Sequence, residues 1–172
     1  MQVFGRSLLV LGGARSGKSR HAQAMAEALE GDLVFIATAQ AFDDEMTAKI
    51  ARHRADRGAR WRTVEAPLDL AGTILAEGKV GAVLLVDCLT LWASNLLLSE
   101  EDAQPRIAAL LSAISASPAR IILVSNEVGL GIVPDNALAR RFRDLAGEVN
   151  QRVAAAVETV DLAVAGLTLR LK

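Results

Sequence analysis

Apolar residues fall along this chain in two rhythms. Short unbroken runs rich in Val, Ile and Leu occupy residues 7–11, 33–37, 80–86, 121–125 and 162–165, and longer stretches of helical periodicity separate them. A short continuous apolar run suits a strand buried on both faces, and its alternation with helices is the trace that βαβ units leave in a sequence. The spacing predicts a helix over residues 137–157, where Leu138, Phe142, Leu145, Val149, Val153 and Val157 recur three or four apart as one buried stripe. Gly166 interrupts the last apolar run, so residues 162–165 and 168–171 read as a terminal hairpin rather than one strand. The expected fold class is α/β, a mostly parallel sheet flanked by helices, in a single domain over residues 1–172.

Composition narrows the function classes. The chain is 52% hydrophobic but only 3% aromatic, so its core is built from Ala, Val, Leu and Ile. With 19 basic and 20 acidic residues the net charge is −1, and no global positive field exists to hold a nucleic-acid backbone. Cys88 stands alone, which excludes an internal disulfide framework and a cysteine-based zinc cluster within one chain. The first residues lack the charged-then-apolar layout of a signal peptide, and no uninterrupted apolar stretch reaches membrane-spanning length. A cytoplasmic protein with no nucleic-acid partner and no membrane span is expected.

The strongest local signal lies between the first run and the next helix. Gly12-Gly13-Ala14-Arg15-Ser16-Gly17-Lys18-Ser19 fits G-x-x-x-x-G-K-[ST] and has the flanks that a P-loop requires, a strand before and a helix after. Glycines let such a loop curl so that backbone N–H groups point inward at phosphate oxygens, and the positive end of the helix points there too. Lys18 would then meet the β and γ phosphates, and Ser19 would ligate Mg²⁺. The run 83–86 ends on Asp87, as expected of an acidic residue that holds magnesium from the neighbouring strand. These features predict a P-loop NTPase-like domain without naming its reaction, since kinases, ATPases and GTPases share them.

The two histidines stand apart. His21, beside Arg20 in the first turns of the P-loop helix, either touches substrate or faces solvent. His53 lies in a segment with an acidic start, Asp43-Asp44-Glu45, and arginines at 52, 54, 57 and 60, in which Met46, Ile50, His53 and Arg57 share a helical face. Its chemistry alone leaves open a functional imidazole or an ordinary solvated basic helix.

Taken together, several blocks resemble the adenosylcobinamide kinase / adenosylcobinamide-phosphate guanylyltransferase family, essentially from end to end. They are residues 12–22, Ile36-Ala37-Thr38-Ala39, Asp43-Asp44-Glu45-Met46, Trp61-Arg62-Thr63-Val64-Glu65, Val86-Asp87-Cys88-Leu89-Thr90, Ser125-Asn126-Glu127-Val128-Gly129 with Gly131-Ile132-Val133-Pro134, and Arg143-Asp144-Leu145-Ala146-Gly147 with Asn150-Gln151. The resemblance implies a bifunctional transferase of cobalamin biosynthesis. Such an enzyme phosphorylates adenosylcobinamide with GTP or ATP, then moves GMP from GTP onto adenosylcobinamide phosphate. It further implies that His53 carries GMP as a covalent phosphoramidate, and that Lys18 serves the kinase step. GTP contacts are implied at Gly12, Gly13, Ala14, Arg15, Ser16, Gly17, Lys18, Ser19, at Ala37, Thr38, Ala39, at Arg54, Ala55, Asp56, Arg57, and at Glu65 and Asp87, with Mg²⁺ on Ser19 and Asp87. Some relatives carry two adjacent histidines where this chain has Arg52 and His53, so one candidate nucleophile stands in that segment. A homotrimer is implied as well.

Two other classes remain compatible with the loop itself: a P-loop regulatory NTPase that signals to a partner, and a monofunctional small-molecule kinase. The large corrinoid acceptor calls for a wide crevice at the carboxyl ends of the strands. Residues 126–136 either border that crevice or form a structural turn.

Overall fold

The structure, a computed structural model, describes residues 4–40 and 58–172. Its elements are β1 (Ser7–Gly12), α1 (Lys18–Glu27), β2 (Asp32–Ala37), β3 (Trp61–Glu65), α2 (Leu70–Glu77), β4 (Ala82–Asp87), α3 (Leu89–Leu98), α4 (Ala103–Ala116), β5 (Arg120–Asn126), α5 (Ala137–Ala156), β6 (Thr159–Val164) and β7 (Leu167–Arg170). The seven strands form one sheet in the order β3-β2-β4-β5-β1-β6-β7. Every pairing is parallel except the closing β6–β7 hairpin.

Strand side chains alternate between the two faces, and each face has its own core. Leu9, Leu11, Val34, Ile36, Leu84, Val86 and Leu123 pack with residues of α2 through α5, among them Ile74, Trp92, Leu96, Ile107 and Val153. The intervening positions, Leu8, Val10, Leu33, Phe35, Val83, Leu85, Ile122 and Val124, meet Ala22, Met25 and Ala26 of α1. Burial of each such Leu or Ile favours folding by about 1.5–3 kcal/mol, so this two-sided apolar pattern fixes the strand register firmly.

The predicted strands are all present, with three differences. Val80 is not in β4: the Ala82 N–H donates to the Lys79 carbonyl, Gly81 turns with φ 83°, and Val80 is left 86% exposed. β3 carries no apolar run because it is an edge strand; Trp-Arg-Thr-Val-Glu alternates and only part of it is buried. β6 starts at Thr159 rather than 162, with Asp161 buried inside it. Ala165 and Gly166, at φ 52° and 80°, make the hairpin turn that the glycine foretells. The expected long helix runs Ala137–Ala156.

Candidate nucleotide-binding site

The P-loop joins β1 to α1 at the carboxyl edge of the sheet. Gly17 occupies the N-cap of α1 at φ 95°, a conformation that a β-carbon penalises. A β-carbon on Gly12 would lie 2.7 Å from the Ala163 carbonyl oxygen, so the loop can fold close over the strand only without one. The other described helices have side-chain caps: Asp69, Cys88, Asp102 and Asn136 each accept a first-turn N–H. α1 has none. Its first-turn amides are therefore left for a ligand, and the helix dipole favours an anion there.

Other groups suit phosphate as well. The Lys18 ammonium donates to the Gly13 carbonyl at 3.2 Å, which holds it over the loop. The Ser16 hydroxyl is buried with no hydrogen-bond partner among the described residues, the kind of orphan that a phosphate oxygen satisfies. Arg15, Ser16, Gly17, Lys18, Ser19, Arg20 and Gly166 line a hollow of about 370 Å³. A larger one, about 730 Å³, lies between α3, α4 and α5 and contains none of these groups.

Asp87 closes β4, but β4 is not the neighbour of β1; β5 lies between them. This corrects the expectation of adjacent strands, which an apolar run cannot test because it carries no strand order. Strand alternation nevertheless turns Asp87 to the face of Val83 and Leu85, the face covered by α1 and hence by Ser19. A hydroxyl and a carboxylate on one face are hard oxygen donors, which fits Mg²⁺. Ala37, Thr38 and Ala39 lie at the tip of β2, and Glu65 pairs with Ala37 at the tip of β3, so the described residues of the expected nucleotide site share one edge. His53 and residues 54–57 lie outside the described residues.

Thr38 sits there in an unexpected role. It is 0% exposed; its hydroxyl donates to the Cys88 carbonyl at 2.7 Å and accepts from the Cys88 N–H at 2.8 Å. Its own N–H donates to the Asp87 carbonyl, and its carbonyl accepts from Asn95 at 2.8 Å. The side chain thus fixes the backbone beside Asp87.

His21 neither touches the P-loop hollow nor simply faces solvent. Its Nε2 lies 3.0 Å from Oδ2 of Asp161, which is 1% exposed and also accepts from Arg170. This cluster ties α1 to the hairpin, while the Gly166 N–H donates to the Ser16 carbonyl at 2.8 Å. Sequence reasoning did not single out Asp161; an acidic residue interrupting a terminal apolar run was the available signal. The loop after β5 is held from α5: Arg143 donates to the Gly129 carbonyl, and Arg140 to the carbonyls of Pro134 and Asp135.

Comparison with known proteins bears on the fold and on the family. Among solved structures, a prototypical ATPase from the type III secretion system of pathogenic bacteria aligns with a TM-score of 0.57 at 15% identity, over 97% of this chain and 57% of that one. At that identity the likeness concerns the fold, an α/β fold of P-loop NTPase type. Among curated proteins, the bifunctional adenosylcobalamin biosynthesis protein CobP of Pseudomonas aeruginosa is 52% identical over 166 residues, 95% of this chain and 96% of that protein. CobU of Salmonella typhimurium is 44% identical over 183 residues, 96% and 99% of the two chains. The family model for CobU matches residues 8–171. With its P-loop, its Asp87 face and these relatives, the chain belongs to the cobinamide kinase / cobinamide phosphate guanyltransferase family.

Proposed function

We propose that this chain, acting as one domain, phosphorylates adenosylcobinamide with GTP or ATP and then transfers GMP from GTP to the resulting phosphate, giving adenosyl-GDP-cobinamide. The observation that carries the kinase half is the uncapped N-terminus of α1 under a glycine cradle, facing Lys18 and the Asp87 side of the sheet. The P-loop amides and Lys18 hold the β and γ phosphates, and the acceptor hydroxyl takes the γ-phosphoryl group as its bond to the β-phosphate oxygen breaks. Mg²⁺ held by Ser19 and Asp87 supplies charge neutralisation at the phosphates.

For the second step family membership directs attention to His53. Its imidazole attacks the α-phosphorus of GTP, forming a P–N bond and releasing pyrophosphate; an oxygen of adenosylcobinamide phosphate then displaces the imidazole. A neutral imidazole is a competent nucleophile near neutral pH. We assign the remaining GTP contacts to residues 37–39, 54–57, Glu65 and Asp87, place the enzyme in the cytoplasm, and take the working unit as a homotrimer.

One assay tests both halves. Incubation with α-labelled GTP followed by denaturation should leave label on the protein, acid-labile and alkali-stable as a phosphoramidate is, and His53→Ala should remove it while γ-phosphoryl transfer persists. Label that denaturation strips entirely would leave a monofunctional kinase or a regulatory NTPase; full labelling of His53→Ala would move the nucleophile elsewhere.

A further inference from the structure

β5, the strand between the P-loop strand and the Asp87 strand, ends on Asn126. Asn126 pairs in register with Gly12, the first residue of the P-loop. On the same strand Ile122 and Val124 face α1, whereas Ser125 faces the other way, toward Asn150 of α5. Alternation therefore turns the Asn126 side chain to the α1 face, between the loop carrying Lys18 and the strand carrying Asp87. Parallel strands lie about 4.8 Å apart, so Asn126 stands one strand spacing from Gly12, while Asp87 pairs with Val124, two residues back along β5 on the same face.

The backbone of Asn126 is fixed from behind. Its N–H donates to the Thr90 hydroxyl at 2.7 Å, and its carbonyl accepts from Asn150 at 3.0 Å. Ser125 donates to Asn150 at 2.5 Å and lies 3.2 Å from the Thr90 hydroxyl, so the supporting side chains are themselves engaged. The following N–H, of Glu127, donates to the Gly12 carbonyl at 3.1 Å and couples the strand tip to the loop. Thr90, Ser125 and Asn150 are all buried. The carboxamide of Asn126, by contrast, has no hydrogen-bond partner among the described residues and is only half-buried. A side chain with two donors and one acceptor, held rigidly at its root and left open at its tip, is built to meet a ligand.

We infer that Asn126 is a catalytic residue of the kinase step, its Nδ2–H₂ donating to the γ-phosphoryl oxygens as that group passes to the acceptor. A neutral amide carries no proton away, so the hydroxyl proton leaves to solvent and Asn126 only stabilises charge on the transferring group. Because the charge being met is largest during transfer, the contribution falls on turnover rather than on nucleotide affinity. This rests on the P-loop reading above.

The test uses the full-length protein. Asn126→Ala removes the amide yet retains every backbone bond just described, so its Tm should stay within about 2 °C of the parent. Its kcat for phosphorylating adenosylcobinamide should fall roughly 10²–10³-fold, while the Kd for GTP, measured by calorimetry with Mg²⁺ and again with a chelator, changes less than about threefold. Asn126→Asp, of the same shape but acceptor-only and negative, should lose activity and also weaken GTP binding. A folded Asn126→Ala enzyme with kcat near the parent's, or a loss of GTP affinity large enough to account for the whole defect, would overturn the assignment. Lys18→Ala assayed in parallel separates the two readings: if it too is fully active, the P-loop assignment itself has failed.

Discussion

The P-loop and the tip of β4 lie at the same edge of the sheet on either side of β5, and their geometry comes from different sources. The loop is shaped locally. Gly12, Gly17 and the uncapped start of α1 lie within a few residues of one another, and the loop's polar groups are largely main-chain N–H. The tip of β4 is shaped at a distance: Thr38, fifty residues before Cys88, supplies two of the bonds that orient the chain there, and Asn95 holds Thr38 in turn. A backbone cradle tolerates change in the side chains around it, whereas a tip held by buried side-chain hydrogen bonds leaves a donor stranded when one partner is removed.

The largest effect should come from the loop's one lysine. Lys18→Ala removes the one ammonium held over the loop and should lower kinase kcat by about 10²–10³-fold or more, since it acts on the transferring phosphoryl group. Stability should hardly change, because the shape of the loop rests on glycines and backbone bonds. Thermal melting and steady-state kinetics on one preparation check both statements, and a Tm loss comparable with the activity loss would mean that the loop is not a backbone-built cradle.

At the tip of β4 function and stability should fall together. Asp87→Asn should cut turnover by roughly tenfold or more, partly recovered at raised Mg²⁺. Thr38→Val keeps shape but leaves the buried Cys88 N–H unpaired, at a cost of about 1–3 kcal/mol, or some 3–10 °C in Tm. It should also raise the Mg²⁺ concentration giving half-maximal rate, by about tenfold, and Thr38→Ser should restore both. Normal Mg²⁺ dependence in a destabilised Thr38→Val protein would confine Thr38 to a structural role.

The same contrast explains what the sequence disclosed. The P-loop, its flanking elements, the long α5 stripe and the terminal hairpin all rest on patterns spanning fewer than about two dozen residues, where periodicity and glycine chemistry act directly. Asp87 was legible as a strand-closing carboxylate, but the insertion of β5 between its strand and β1 was not, because strand order is a property of the folded sheet. Trp61–Glu65 stood out as a block of family resemblance but not as a strand, since an edge strand needs no apolar run. His21 looked like a residue for substrate or solvent because its partner, Asp161, lies 140 positions away. Thr38 stood in the sequence as a GTP contact implied by family resemblance, and Asn126 as the first residue of a loop read as either bordering the acceptor crevice or forming a turn; whether a hydroxyl bonds a ligand or a distant peptide depends on pairing that composition does not record.

The finest test concerns Cys88, and it measures how dry the tip of β4 is. Burial raises this thiol above its ordinary pKa of 9.0, and the neighbouring negative charge of Asp87 raises it further, against smaller opposing bonds from Leu91 and Thr90. A raised folded-state value means that the folded protein holds the thiol proton more tightly than the unfolded chain. The associated stability is therefore fully present below pH 9 and is lost as pH rises through the folded value. At pH 8 two factors slow a thiol reagent, scarcity of thiolate and lack of access, and a local opening free energy of ~3 kcal/mol alone imposes about a hundredfold delay. Native protein should accordingly label at Cys88 at least a hundredfold more slowly than protein in denaturant. Thr38→Val, which loosens the same peptide, should label faster than Lys18→Ala, which leaves it untouched. Equal labelling of these two variants would mean that the tip of β4 does not depend on Thr38, and the contrast with the P-loop would collapse.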